Sequence, residues 1–178
     1  ELFFDDCLVH VENRLGDEGA GWNVAMATAS SERGLNLRAP GRFLAAATQL
    51  VGLYRALLDE KNEIPQELRN EVVDGYVAAQ AYRWQVFSKA SALMHGSNMG
   101  AEASYMKIFW SELDVDLHAT ALRLLADRAE LVLDAPDAYS EGSWMSGYLF
   151  SLAGPIYAGT NEIQRNIVAE RVLGLPRK

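Results

Sequence analysis

One cysteine in 178 residues leaves no material for a disulfide scaffold. No run of about eighteen or more uncharged apolar residues occurs, so the sequence predicts no transmembrane helix. No secretory leader is visible either, because Glu1 opens an acidic stretch rather than a basic one leading into an apolar run. The chain also opens without an initiator Met, which reads as a fragment or processed product whose targeting signal could have been lost. Basic side chains number 16 against 24 acidic ones, a net charge of −8 with no basic stripe, which argues against nucleic acid as a partner. The three histidines, His10, His95 and His118, are scattered, and neither HExxH nor CxxC occurs, so no metal site is expected. Classical nucleotide loops of the GxGxxG and Walker type are absent. Cys7 sits in an apolar stretch with no basic neighbour and does not read as a nucleophile. A lone cysteine fits a reducing, cytoplasmic setting.

What remains is enough for a real core. Hydrophobic residues make up 49% of the chain, with 4 Trp, 7 Tyr and 6 Phe, which excludes a disordered tail. Residues 2–11 carry Phe3, Phe4, Leu8, Val9 and Val11 and predict an extended strand, with Asp5-Asp6 as a turn or bulge. A lone strand lacks hydrogen-bond partners, so its sheet is expected outside this stretch of chain. A Gly-rich, charged loop follows over 13–21. From Trp22 onward the texture is helical. Trp22, Ala25, Met26 and Ala29 recur at helical spacing. A second helix opens at Pro40, with Phe43, Ala46, Ala47, Leu50, Leu53, Tyr54 and Leu57 in one stripe. A third begins around Pro65 and Glu67 and ends at His95-Gly96. Its apolar face reads as Val73, Tyr76, Val77, Trp84, Phe87 and Met94, on a rod of roughly 45 Å. A fourth runs over about 100–125, the segment 142–154 is mixed, and a last helix spans about 160–172 before Gly174 and Pro176. With no strand–helix alternation, no repeat and no long heptad, the fold class is all-α, an antiparallel helical bundle with a short N-terminal strand.

Most polar and aromatic clusters admit a plain explanation. Asp114 and Asp116 read as a solvated face of the fourth helix. The set Trp84, Phe87, Tyr105, Phe109 and Trp110 reads as core packing. Two segments stand apart. Ser30-Ser31-Glu32-Arg33-Gly34 ends an apolar helix; adjacent Glu and Arg side chains diverge by about 100° on a helix and read, on sequence alone, as a surface pair. Residues 156–166 form a small-residue loop feeding directly into a helix. There Thr160 is a natural N-cap, Gly159 lets a ligand approach the backbone, and the first-turn amides are free to hold an oxygen. A plain capped helix accounts for the same residues.

Residues 157–178, YAGTNEIQRNIVAERVLGLPRK, resemble the C-terminal signature of acyl-CoA dehydrogenases. Residues 21–33, GWNVAMATASSER, resemble the first helix of that family's C-terminal domain. Residues 3–19, FFDDCLVHVENRLGDEG, resemble the last strand and exit loop of its central β domain. The resemblance divides the chain into residues 1–20, a remnant of the β domain, and 21–178, the helical-bundle domain. It implies a flavoenzyme using FAD that converts an acyl-CoA thioester to its trans-2-enoyl form, with an electron-transfer flavoprotein as acceptor. A carboxylate takes the α-proton and the β-hydrogen leaves as hydride. Many members place the catalytic Glu between Tyr and Gly of the YxGT loop; here that position is Ala158. A second subgroup places it immediately before an Arg on the first helix; here that position is Glu32, followed by Arg33. The resemblance therefore implies Glu32 as base, with the backbone N–H of Ala158 serving the thioester carbonyl. It implies Ser30, Ser31, Arg33 and Gly159 around the acyl-CoA, and Thr160, Asn161 and Glu162 against the flavin.

The middle of the chain departs from the common pattern. The RxxFG and QxxGGxG stretches are missing, with residues 57–66 and 126–142 in their places, which puts flavin binding by that surface in question. Residues 100–113, GAEASYMKIFWSEL, and 149–154, LFSLAG, resemble actinobacterial members that act in steroid side-chain breakdown as mixed α2β2 tetramers. A homo- or heterotetramer with related subunits is the assembly implied. Two other readings share these residues: a non-catalytic partner subunit with a structural Glu32, and a helical oligomerisation module.

Overall fold

The computed structural model describes residues 3–34, 40–61, 63–97, 100–131 and 135–177, the side chains of 29–34, 61, 141 and 142 lying outside that description. Among the described residues six α-helices follow in order: α1 (Gly21–Gly34), α2 (Pro40–Lys61), α3 (Gln66–Met94), α4 (Glu102–Leu125), α5 (Ser143–Ser151) and α6 (Asn161–Arg171). Their limits follow from local chemistry. Pro40 fills the first position of α2, where its missing N–H costs nothing. Pro65 precedes α3, and Glu67 places negative charge in that helix's first turn. Gly96, at φ +86, closes α3: its N–H donates to Leu93 O at 3.0 Å and the Ser97 N–H to Ala92 O at 3.0 Å, the double bond of a Schellman motif.

The connection between α2 and α3 is short, so the two pack as antiparallel neighbours, with α4 laid across both. Phe43, Leu50 and Leu57 of α2, Val72, Ala79, Tyr82 and Val86 of α3, and Met106, Trp110, Leu117 and Leu124 of α4 form the core. Phe43 meets Tyr82 edge-on at 5.4 Å and stacks on Trp110 at 5.9 Å. Gly75 permits the close approach of α3 to α4, since a Cβ there would lie 2.8 Å from Leu117 Cδ2. Helix α4 is the hub, touching α1, α2, α3, α5 and α6. No described helix is long and apolar enough to cross a membrane.

Three expectations change. Residues 3–10 form no strand among the described residues; they run exposed into a 3₁₀ turn at Val11–Asn13, because nothing here offers a ladder to pair with. The apolar line expected to be the buried face of α3 faces outward: Trp84 is 63% exposed and Val77 59%, with Val73, Phe87 and Met94 also exposed. The core instead takes the shorter line through Val72, Ala79, Tyr82 and Val86. Of the five aromatics expected in the core, Trp110 is buried and Tyr105 packs against it, whereas Trp84, Phe87 and Phe109 are exposed.

The buried and outward lines of α3 should tolerate loss of packing differently. Leu50→Ala on α2, which removes packing from the core that the buried line enters, is expected to cost about 2–5 kcal/mol. Val77→Ala, on the outward line, is expected to cost under about 0.5 kcal/mol in the monomeric chain. Denaturant unfolding of the two variants checks this, and equal losses would contradict the assignment of faces.

Candidate functional site

The loop from Leu152 to Thr160 is built on a series of tight turns. Ile156 and Tyr157 both donate their N–H to Ala153 O at 3.0 Å, and Asn161 N–H closes back on Pro155 O at 2.9 Å. Ala158 and Gly159 then sit consecutively in the left-handed region, at φ +54 and +87. For a residue with a Cβ this conformation is strained. The Tyr157 ring leans on Trp110 at 6.0 Å. Thr160 caps α6, its Oγ1 accepting the Ile163 N–H at 3.4 Å. The exposed Glu162 carboxylate is held below the usual range by its own backbone N–H and by the Thr160 hydroxyl.

Beneath the loop lies a buried polar seam between α4 and α6. Lys107, 0% exposed, donates from Nζ to Asn161 Oδ1 at 2.7 Å. Ser111 Oγ meets the same oxygen at 3.2 Å, and Asn161 Nδ2 donates to Ser111 Oγ and to Glu112 Oε1. Arg165 closes the seam at the surface by pairing with Glu112. Gln164, also 0% exposed, donates from Nε2 to the carbonyls of Ala158, at 3.1 Å, and Gly159, at 3.2 Å. It comes so near because residue 159 has no side chain; a Cβ there would lie 2.7 Å from Nε2.

A second buried charge sits on the α2-facing side of α4. Asp114 is 2% exposed, and Arg42 Nη2 donates to its Oδ2 at 2.6 Å. His118 Nδ1 lies 2.7 Å from the Asp114 main-chain oxygen and 3.4 Å from its Oδ1. Burial pushes the Asp114 carboxyl upward, and Arg42 and His118 oppose it. The Arg42 guanidinium spans the rings of Phe43 and Phe150, tying the first turn of α2 to α5. The solvated face expected for Asp114 and Asp116 thus holds for Asp116 alone, since Asp114 falls on the buried stripe.

The site residues expected from the sequence divide into three groups. Ala158, Gly159, Thr160 and Glu162 come together at the loop and the α6 N-terminus. Asn161 is turned inward: its side chain bonds to Lys107, Ser111 and Glu112 of α4 and its N–H to Pro155 O. Ser30, Ser31, Glu32 and Arg33 fall in the last turns of α1, which packs on α4, and their side chains lie outside the described residues. Among the described residues no three His, Cys, Asp or Glu side chains converge as a metal site would require. Lys107, Ser111, Gln164 and the Arg42–Asp114 pair were not anticipated. A signal for two of them exists: Lys107 and Asp114, seven apart, both fall on the stripe of Ala103, Met106, Trp110, Leu113 and Leu117, where a charge must find a partner.

A family model described as acyl-CoA dehydrogenase, C-terminal domain, matches residues 19–173. The chain belongs to this family. Acyl-CoA dehydrogenase IpdE1 of Mycolicibacterium smegmatis is 36% identical over 179 residues, covering 100% of this chain and 43% of that protein. The IpdE1 protein of Mycobacterium tuberculosis is 33% identical over 180 residues, covering 100% of this chain and 44% of that one. Among solved structures, the ChsE4-ChsE5 complex from Mycobacterium tuberculosis matches with a TM-score of 0.79 at 25% identity, covering 96% of this chain and 45% of that one. The chain spans under half the length of the relatives it matches.

The buried lysine gives the seam a pH signature. Burial holds the Lys107 ammonium below its ordinary 10.5, while Glu162 and Glu112 draw it back up. A lysine with a lowered folded pKa binds fewer protons folded than unfolded over that interval, so stability rises with pH. As pH rises toward the ordinary 10.5, the protein is expected to gain stability relative to Lys107→Met, measured by denaturant unfolding at each pH. A difference that stays flat over that rise would contradict the lowered pKa.

Proposed function

We propose that this chain is the catalytic C-terminal portion of a flavin-dependent acyl-CoA dehydrogenase that forms a trans-2-enoyl-CoA, with Glu32 as the base. The observation that carries this reading is the 157–160 loop. It presents N–H groups of Ala158, Gly159 and Thr160 that hold no hydrogen bond among the described residues, and it carries an alanine where a base would otherwise stand. A C–H beside a thioester is a very weak acid. Its proton can be removed only if charge developing on the carbonyl oxygen is stabilised, and oriented backbone donors do this without reorganising. Ala158 has no group to accept the proton. Glu32, on the helix that shares α4 with the loop, does. In a site closed off from water a carboxylate becomes a stronger base.

The start of α6 fits a cofactor rich in hydroxyl and amide groups such as FAD. The Thr160 hydroxyl and the Glu162 carboxylate stand there, beside the loop N–H groups that serve the thioester. When bound, the flavin would supply the acceptor for the β-hydrogen, which leaves as hydride. Thr160, Asn161 and Glu162 would hold the flavin, whereas Ser30, Ser31, Arg33 and Gly159 would line the acyl-CoA. The steroid-like or otherwise bulky acyl group rests on the likeness of residues 100–113 and 149–154 to steroid side-chain members. Assembly with a related subunit is supported by the outward apolar line of Val73, Val77, Trp84 and Phe87, which a second chain would cover. An electron-transfer flavoprotein would then take up the electrons.

Glu32→Gln in the full-length, flavin-loaded protein tests the assignment. Turnover of a bulky acyl-CoA is expected to fall about 10²–10⁴-fold with flavin content unchanged. Turnover at the unsubstituted rate would mean that another group is the base and would favour a partner-subunit role.

A further inference from the structure

We infer that Gln164 is the positioning residue of the loop: it holds the peptides on either side of Gly159 so that their N–H groups, with that of Ala158, face the thioester carbonyl. The inference rests on the dehydrogenase reading and deepens it. In a trans peptide the C=O and N–H point in opposite directions, and no cis bond occurs among the described residues. With the Ala158 carbonyl pinned at 3.1 Å by Gln164 Nε2, the Gly159 N–H points away from Gln164; with the Gly159 carbonyl pinned at 3.2 Å, so does that of Thr160. The Ala158 N–H lies between two anchors, the Tyr157 N–H on Ala153 O and Gln164 on its own carbonyl.

Three further observations support a dedicated role. Gln164 is fully buried, and its Oε1 has no hydrogen-bond partner among the described residues, an uncommon cost for a side chain that merely fills space. Rotating the amide would set Oε1 against two carbonyl oxygens, so only Nε2 can occupy its place. The two residues it grips are the two left-handed ones, Ala158 and Gly159, and Ala158 needs an external hold to stay in that conformation.

The test uses full-length, flavin-loaded protein with Gln164→Met, which keeps the length but donates nothing, and Gln164→Glu, which keeps the shape and donates only when protonated. Two quantities are read: steady-state turnover, and the carbonyl stretch of a ¹³C-labelled 3-thia-acyl-CoA, in which sulfur replaces the β-carbon so that no hydride can leave. The unsubstituted protein is expected to lower the bound carbonyl stretch. Gln164→Met is expected to lose that lowering, with kcat down about 10²–10³-fold and KM within about threefold. Gln164→Glu is expected to match it only where its carboxyl is ionised, so its kcat relative to the unsubstituted protein should recover as pH falls. A Gln164→Met protein that keeps the carbonyl shift, or whose KM rises while kcat holds, overturns the positioning role. If neither variant loads flavin, a crystal structure of the unsubstituted protein with the same analogue decides. A thioester oxygen on the Gly159 N–H, with Gln164 Nε2 still on the Ala158 carbonyl, supports the inference, and one bound away from the Gly159 N–H, or with Gln164 turned from both carbonyls, overturns it. An unsubstituted protein that oxidises no acyl-CoA removes the dehydrogenase reading and this inference together, whereas insensitivity confined to the variants removes the inference alone.

Discussion

A buried ammonium held by an amide oxygen governs the geometry of this molecule. Lys107 has no access to water, and its bond to Asn161 Oδ1 at 2.7 Å is what makes its burial tolerable. An apolar pair of the same size would pack as well, and by the usual balance of desolvation against attraction would be no less stable. It would not be directional. Asn161 is the first residue of α6, so the lysine fixes where that helix begins, and the turn leading into it inherits the constraint. Ser111 and Glu112 complete the satisfaction of Asn161, and Gln164, one turn further along α6, extends the same polar seam to the carbonyls of the loop. The left-handed pair Ala158 and Gly159, strained at Ala158, is therefore supported from below by groups that cannot relax into solvent.

Helix α4 serves both the core and the loop. Met106, Trp110, Leu117 and Leu124 enter the apolar core with α2 and α3. Beside them Lys107, Ser111 and Glu112 reach α6, while Asp114 ties the start of α2 through Arg42. Helix α1 also packs on this rod, and the Tyr157 ring of the loop leans on Trp110. The apolar contacts supply bulk, and the polar contacts specify a conformation.

Much of the fold was legible in the sequence because helix ends are written locally. Pro40, Pro65, Gly96, Thr160 and Gly174 mark boundaries through their own φ preferences and capping chemistry, and the structure places ends at or beside each of them. The inward face of α3 was not legible. That helix carries two apolar lines, and the larger one, with Trp84, Phe87 and Val77, lies outward. Periodicity reports that a line exists and says nothing of whether the same chain or another covers it. Asp114 was misplaced for a related reason: charge is read as exposure, while a partner seventy-two residues away at Arg42 cannot be seen from spacing. The loop at 157–160 was found from its small residues and cap. Its buried support was not, since Gln164 looks in sequence like any polar residue of an amphipathic helix. The strand expected over 2–11 rested on side-chain preference alone, and preference does not supply a ladder.

The central claim is that Glu32 takes the α-proton from a thioester whose carbonyl the 157–160 loop polarises. Proton exchange tests this most directly, because it separates proton removal from hydride departure. Full-length, flavin-loaded protein is incubated in D₂O with a 3-thia-acyl-CoA, and deuterium at the α-carbon is followed by mass spectrometry. The account predicts ready incorporation by the unsubstituted protein and none above background with Glu32→Gln. Incorporation that continues unchanged after that substitution would contradict it.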